Sequence, residues 1–125
     1  MGLKLIRLEM VRSKEADLVD HRHSYVFQAS LTADGHLQLG GYSAVSHLCK
    51  VVKSEPAGHR EGFLVLTSDG WALSCKEGDT DCALNWLEFD VLARGNYLKI
   101  AESDGVSRLF KVVSVEDAKI EVLHS

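Results

Sequence analysis

The dipeptide Asp-Gly occurs three times, as Asp34-Gly35, Asp69-Gly70 and Asp104-Gly105, and each copy is bracketed by strand-like sequence. Asp and Gly suit the positive-φ positions of a type I′ turn, whose twist matches that of two antiparallel strands. A chain that doubles back at such points is committed to antiparallel pairing. Before the first turn, Tyr25, Phe27, Ala29 and Leu31 alternate with Val26, Gln28 and Ser30; after it, Leu37 and Leu39 alternate with His36 and Gln38. That period of two sets alternate side chains on one face of a strand. Phe63 to Leu66 leads into the second turn, and Trp71 to Leu73 leads out of it.

A fourth hairpin is expected where Leu87, Phe89 and Val91 alternate with Glu88 and Asp90, turn at Arg94-Gly95-Asn96 and continue as Tyr97 to Ile100. Ile6, Leu8 and Met10 mark an N-terminal strand, and residues 109–115 and 120–123 supply two more, about nine in all. One stretch follows another period. Ala44, Val45, Leu48, Val51 and Val52 form the i, i+1, i+4, i+7, i+8 stripe of a helix, with Ser43 as a fitting N-cap and Pro56 in the stop.

The expected fold class is therefore α+β, mostly β. It is an antiparallel β-meander or small barrel of about nine strands with one helix from about Ala44 to Lys53, in one domain over residues 1–125. The expected core holds Ile6, Leu8, Phe27, Leu31, Val45, Leu48, Leu64, Leu66, Leu87, Phe89, Val91, Leu98, Ile100, Phe110 and Val112. Gly35, Gly70 and Gly105 stand 35 residues apart, a spacing that invites a threefold repeat. The segments between them do not match: Leu37 and Leu39 correspond to Ala72 and Ser74, then to Ser107 and Leu109. No repeat is expected.

Charge narrows the partners. The net charge is −4, and it divides unevenly: residues 1–62 carry 8 Lys/Arg against 7 Asp/Glu, residues 63–125 carry 6 against 11. An acidic balance disfavours nucleic acid, which needs several cations on one face, and disfavours an anionic membrane. It favours a basic protein partner. The first residues interrupt every apolar run with Lys4, Arg7 or Glu9, so no signal core or membrane span is expected. Cys49, Cys75 and Cys82 are odd in number and outline no disulfide framework; a reducing, cytoplasmic setting is expected.

No catalytic pattern stands out, and no cofactor is expected. There is no Gly-x-Ser-x-Gly elbow, and Gly40-Gly41 is followed by Tyr42 where a phosphate loop needs Lys-Ser/Thr. His21 and His23 would share a strand face, and His47 with Cys49 would complete four zinc ligands only on a second strand; on the expected helix they diverge, so no metal is expected. The segment 76–81 gathers Glu77, Asp79 and Asp81 but lacks the spacing of a calcium loop.

Two functional readings follow. The first is a non-catalytic binding module acting through a protein partner, in the manner of an immunity protein neutralising a basic toxin. Its candidate contact residues are Trp71, Trp86, Glu88, Asp90, Glu77, Asp79 and Asp81, because an aromatic beside carboxylates suits an interface. The alternative is a small-molecule binder or enzyme with a pocket at a barrel mouth, where His23, Tyr25 and Trp71 would converge. Homo-oligomerisation through a strand edge is compatible with both.

Overall fold

The computed structural model describes residues 3–37, 49–56, 58–75, 83–88 and 91–117. They form eight strands: β1 (Leu3–Ser13), β2 (Leu18–Ser30), β3 (Lys50–Glu55), β4 (Gly58–Thr67), β5 (Gly70–Cys75), β6 (Ala83–Glu88), β7 (Tyr97–Ala101) and β8 (Ser107–Asp117). Each strand pairs antiparallel with the next in sequence, and β1 pairs with β8, so the meander closes into a barrel. Closure removes both sheet edges. It requires strong coiling, and the ladders are interrupted accordingly: β1 shifts register against β2 between Glu9 and Met10, and against β8 between Arg7 and Leu8.

An eight-stranded barrel is just wide enough for its interior to be filled by side chains. Ile6, Leu8, Tyr25, Phe27, Leu64, Leu73, Ile100, Phe110 and Val112 are fully buried members of one core cluster, and the Tyr25 and Phe110 rings meet edge to face at 5.2 Å. Alternation supplies this set from six of the eight strands. Ile6 and Leu8 face inward, opposite Phe27 and Tyr25 on β2 and Val115 and Val112 on β8.

The mostly-β antiparallel barrel is as the sequence implies, while two of its details differ. Among the described residues there is no helix. Lys50 to Lys53 lie in β3, hydrogen-bonded on both sides to β2 and β4; residues 44–48 lie outside the described residues. The helical stripe is ambiguous because Val51 and Val52 are β-branched, and two flanking strands satisfy their backbone groups better than a short helix does. The strand count also changes. Leu37 makes only an isolated bridge to Leu31, and residues 120–123 lie outside the described part.

The Asp-Gly sites do reverse the chain, with different geometry. Gly35 and Gly105 have φ of 90° and 87°, but the preceding aspartates do not take positive φ; Asp17 alone does so among the described non-glycine residues. The Gly35 and Gly105 amides donate to the carbonyls of Thr32 and Glu102, and the Thr32 and Glu102 amides donate to His36 and Val106. These are three-residue loops, a type I turn followed by a left-handed glycine. They follow β2 and β7 in one eight-stranded meander and are not equivalent places in a threefold repeat.

Eight of the expected core residues are buried: Ile6, Leu8, Phe27, Leu64, Leu98, Ile100, Phe110 and Val112. Leu31 and Leu87 pack against them in part. Leu66, beside the β4–β5 turn and opposite Trp71, remains 42% exposed, because the wall ends there. Val45, Leu48 and Phe89 lie outside the described residues.

Candidate functional site

The ends of the barrel differ in chemistry. We call upper the end bearing the β1–β2, β3–β4 and β7–β8 turns, and lower the end bearing the β4–β5 turn and the start of β1. At the upper end, Tyr25, Lys53 and Glu102 replace apolar residues in the interior and are all buried. Tyr25 and Lys53 are cross-strand neighbours, and the Lys53 ammonium lies 5.6 Å from the Tyr25 ring centre. The Glu102 carboxylate accepts a hydrogen bond from the Tyr25 hydroxyl, meets Lys53 Nζ at 3.2 Å and accepts from Arg108 Nη1 at 2.7 Å. Lys53 also reaches Glu55 at 3.5 Å, and Arg60 meets Glu55 at 2.9 Å.

Arg108 bridges onward to Asp104 in the β7–β8 turn at 3.0 Å. The Val106 amide, with Arg108 beside it, holds the Asp104 carboxyl below the usual range, and Glu102 raises the Arg108 guanidinium further above its already high value. Asn85 ties in the next wall: its amide donates to the Leu73 carbonyl at 3.1 Å, and its oxygen accepts from the Ser103 amide at 3.2 Å. Among the described residues no buried side-chain nitrogen or oxygen lacks a partner. With its groups paired to one another, the network fills the upper interior like a plug.

The outer wall of β4–β6 has the opposite character. Phe63, Ser74 and Leu84 stand in one cross-strand row, and Val65, Ala72, Trp86 and Ala101 in the next. Phe63 and Leu84 are 45% and 37% exposed, so this apolar face is open to solvent. Trp86 lies on it half-buried, shielding Ala72. Glu88 is exposed on the same side, two residues beyond Trp86 and opposite Lys99. A recess of about 350 Å³ adjoins the face, lined by Lys50, Val52, Glu61 and Phe63.

The other sequence-derived candidates scatter. Trp71 pairs with Leu66 on the inward register and packs against the core near the lower end. It therefore lies on the opposite face of the wall from Trp86. Tyr25 serves the upper network, so Tyr25 and Trp71 sit toward opposite ends; His23 is half-buried on β2. Glu77, Asp79, Asp81 and Asp90 lie outside the described residues.

His21 is largely exposed and places Nδ1 2.7 Å from the buried Glu9 carboxylate, which Arg7 Nε also contacts at 2.7 Å. Asp20 accepts from the Arg22 amide at 3.0 Å, which holds its carboxyl below the usual range and pins the irregular stretch of β2. Among the described residues no three His, Cys, Asp or Glu side chains gather as metal ligands. Cys49 is a buried thiol whose pKa is raised by that burial.

The sequence reading missed Lys53, Glu102 and Arg108 as a group, since they come from three distant segments. One local signal was available: Lys53 and Glu102 fall on the same alternation as Val51 and Ile100, at positions an apolar core would fill. No described protein family, curated protein or solved structure shows significant similarity to this chain.

Proposed function

We propose that this chain is a non-catalytic binding module that engages a protein partner through the outer face of β4, β5 and β6. The observation that carries this reading is the row pair Phe63–Leu84 and Val65–Trp86, an apolar surface outside a barrel that already owns a core. Exposed aromatic and aliphatic side chains with a charged rim have the makeup of an interface centre and its border. A basic partner fits the net charge of −4 on the whole chain. Glu61 and Glu88 flank the face, with Lys50 and Lys99 beside them, while Glu77, Asp79 and Asp81 lie outside the described residues. Occluding the active surface of a basic enzyme is one way such a module acts.

The test is affinity capture from native lysate with wild type and with Phe63→Ser/Leu84→Ser, followed by binding of the purified pair. The reading expects a stoichiometric basic protein that the double variant loses and Arg22→Ala, on a distant wall, retains. Retention by all three baits overturns it. A second reading, small-molecule binding at a barrel mouth, is favoured by a recess of about 310 Å³ at the lower end.

A further inference from the structure

We propose that the lower mouth of the barrel binds a small amphipathic anion, its apolar body on Leu31, Leu92 and Val115 and its charged head between Lys4 and Arg94. This rests on the mouth-pocket reading and names its ligand class. All five residues line one recess of about 310 Å³, at the lower end of the size range of small-molecule sites.

The register explains how a cation comes to stand over an apolar floor. Lys4 falls on the inward alternation of β1 with Ile6 and Leu8, opposite Ala29 on β2, and Val115 faces Ile6 from β8. Leu31 continues the inward series of Phe27 and Ala29 past the end of β2. The recess thus lies just below the buried interior, with Leu31, Leu92 and Val115 as its apolar floor and the Lys4 ammonium at its rim. Arg94 comes from the β6–β7 connection on the other side and is exposed.

The recess is also preformed. The Leu92 amide donates to the Gly35 carbonyl at 2.8 Å, which fixes the β6–β7 connection against the Thr32–His36 turn. A Cβ at Gly35 would lie 2.8 Å from Val91 Cγ1 and 3.1 Å from the Leu92 carbonyl oxygen, so glycine is what permits this approach. A wall held in this way loses little freedom when a ligand enters.

Two carboxylates oppose the assignment and limit it. Asp34 lines the same recess, and Lys4 is paired with Asp117. Asp117 is 86% exposed, so this is a surface pair that an incoming anion displaces easily. Two cations face one carboxylate among the lining residues, and with Asp117 counted the charges balance, so the preference for an anion rests on displacing that exposed pair.

The test uses octanoate and monooctyl phosphate below their micellar concentrations, with octanol and octylamine as neutral and cationic counterparts. Binding to the full chain is followed by amide chemical shifts and calorimetry. The expected result is saturable one-site binding of at least one anion, with shifts at residues 31–35 and 92–94. Arg94→Ala, an exposed site, is expected to weaken it by fivefold or more while leaving octanol unaffected. Which anion binds tighter separates a carboxylate from a phosphate head. If octanol or octylamine binds the recess as well as the anions do, the anion assignment fails and the pocket reading stands. If none of the four shifts these residues, both fail.

Discussion

The two ends of this barrel solve the same problem in opposite ways. Both must terminate a cylinder of apolar side chains in water. The upper end does so with charges turned inward: Glu102 is shared by Tyr25, Lys53 and Arg108, and the chain of pairs runs out to Glu55, Arg60 and Asp104. The lower end does so with backbone, the Thr32–His36 turn docking on Leu92, and leaves an amphipathic recess. The comparison teaches that burying charge is not by itself a sign of a binding site. The network that looks most like an active centre is the one with its groups committed to each other, while the plainer end keeps an accessible cation and an apolar floor.

The largest way to break the contrast is Glu102→Ala. It strips the buried Lys53 of its closest carboxylate, and losing one partner of a buried pair costs about 3–5 kcal/mol. Urea denaturation checks this, and a loss under about 1 kcal/mol contradicts a buried network. Next is Gly35→Ala at the lower end, where a positive φ of 90° and the contact with Val91 combine to cost about 1–3 kcal/mol. Amide exchange should then rise at Leu92 and leave the Asn85 and Ser103 region unchanged.

A smaller effect is expected from acid. The carboxyls of Asp20 and Asp104 at the upper end, and of Asp117 at the lower, are held below their ordinary values by the Arg22 amide, the Val106 amide and Lys4 respectively. A depressed folded value means each contributes stability above the unfolded value of about 3.9, and that contribution is lost as pH falls through the folded one. The urea midpoint should hold down to about pH 5 and decline below about pH 4. Asp104→Asn should flatten part of that decline. The smallest effect on the fold is Glu88→Lys, which should leave stability within about 0.5 kcal/mol. It should slow association with a basic partner, most visibly at low salt, as stopped-flow rates would show.

Much of the barrel was legible in the sequence for a local reason. Alternation at Tyr25–Phe27–Ala29 and Ile6–Leu8 states which face is buried, and glycine marks reversals such as those at Gly35, Gly70 and Gly105, though not the β1–β2 turn at Asp17; both signals follow from neighbours in sequence. The misreading of Val51 and Val52 has a tertiary cause. Their stripe fits a helix equally well, and only the flanking β2 and β4 select the strand. The outer position of Trp86 with Glu88 could be read from alternation, whereas Trp71 could not be assigned, because its place depends on pairing with Leu66 at the end of the wall. The lower recess was invisible, and the charge network showed only as Lys53 and Glu102 standing in phase with Val51 and Ile100. Each joins segments far apart in the chain, Tyr25 with Glu102 and Lys4 with Arg94, and no periodicity reports on contacts of that range.

A double-mutant cycle on Lys53 and Glu102 tests the central contrast most directly. Lys53→Met, Glu102→Gln and the double variant are compared by urea denaturation at neutral pH. If the upper end is held by its own charges, the double variant loses less than the sum of the singles, by a coupling of roughly 1–3 kcal/mol. Additivity within about 0.5 kcal/mol would mean that the two groups are independent and that the upper end is not a plug.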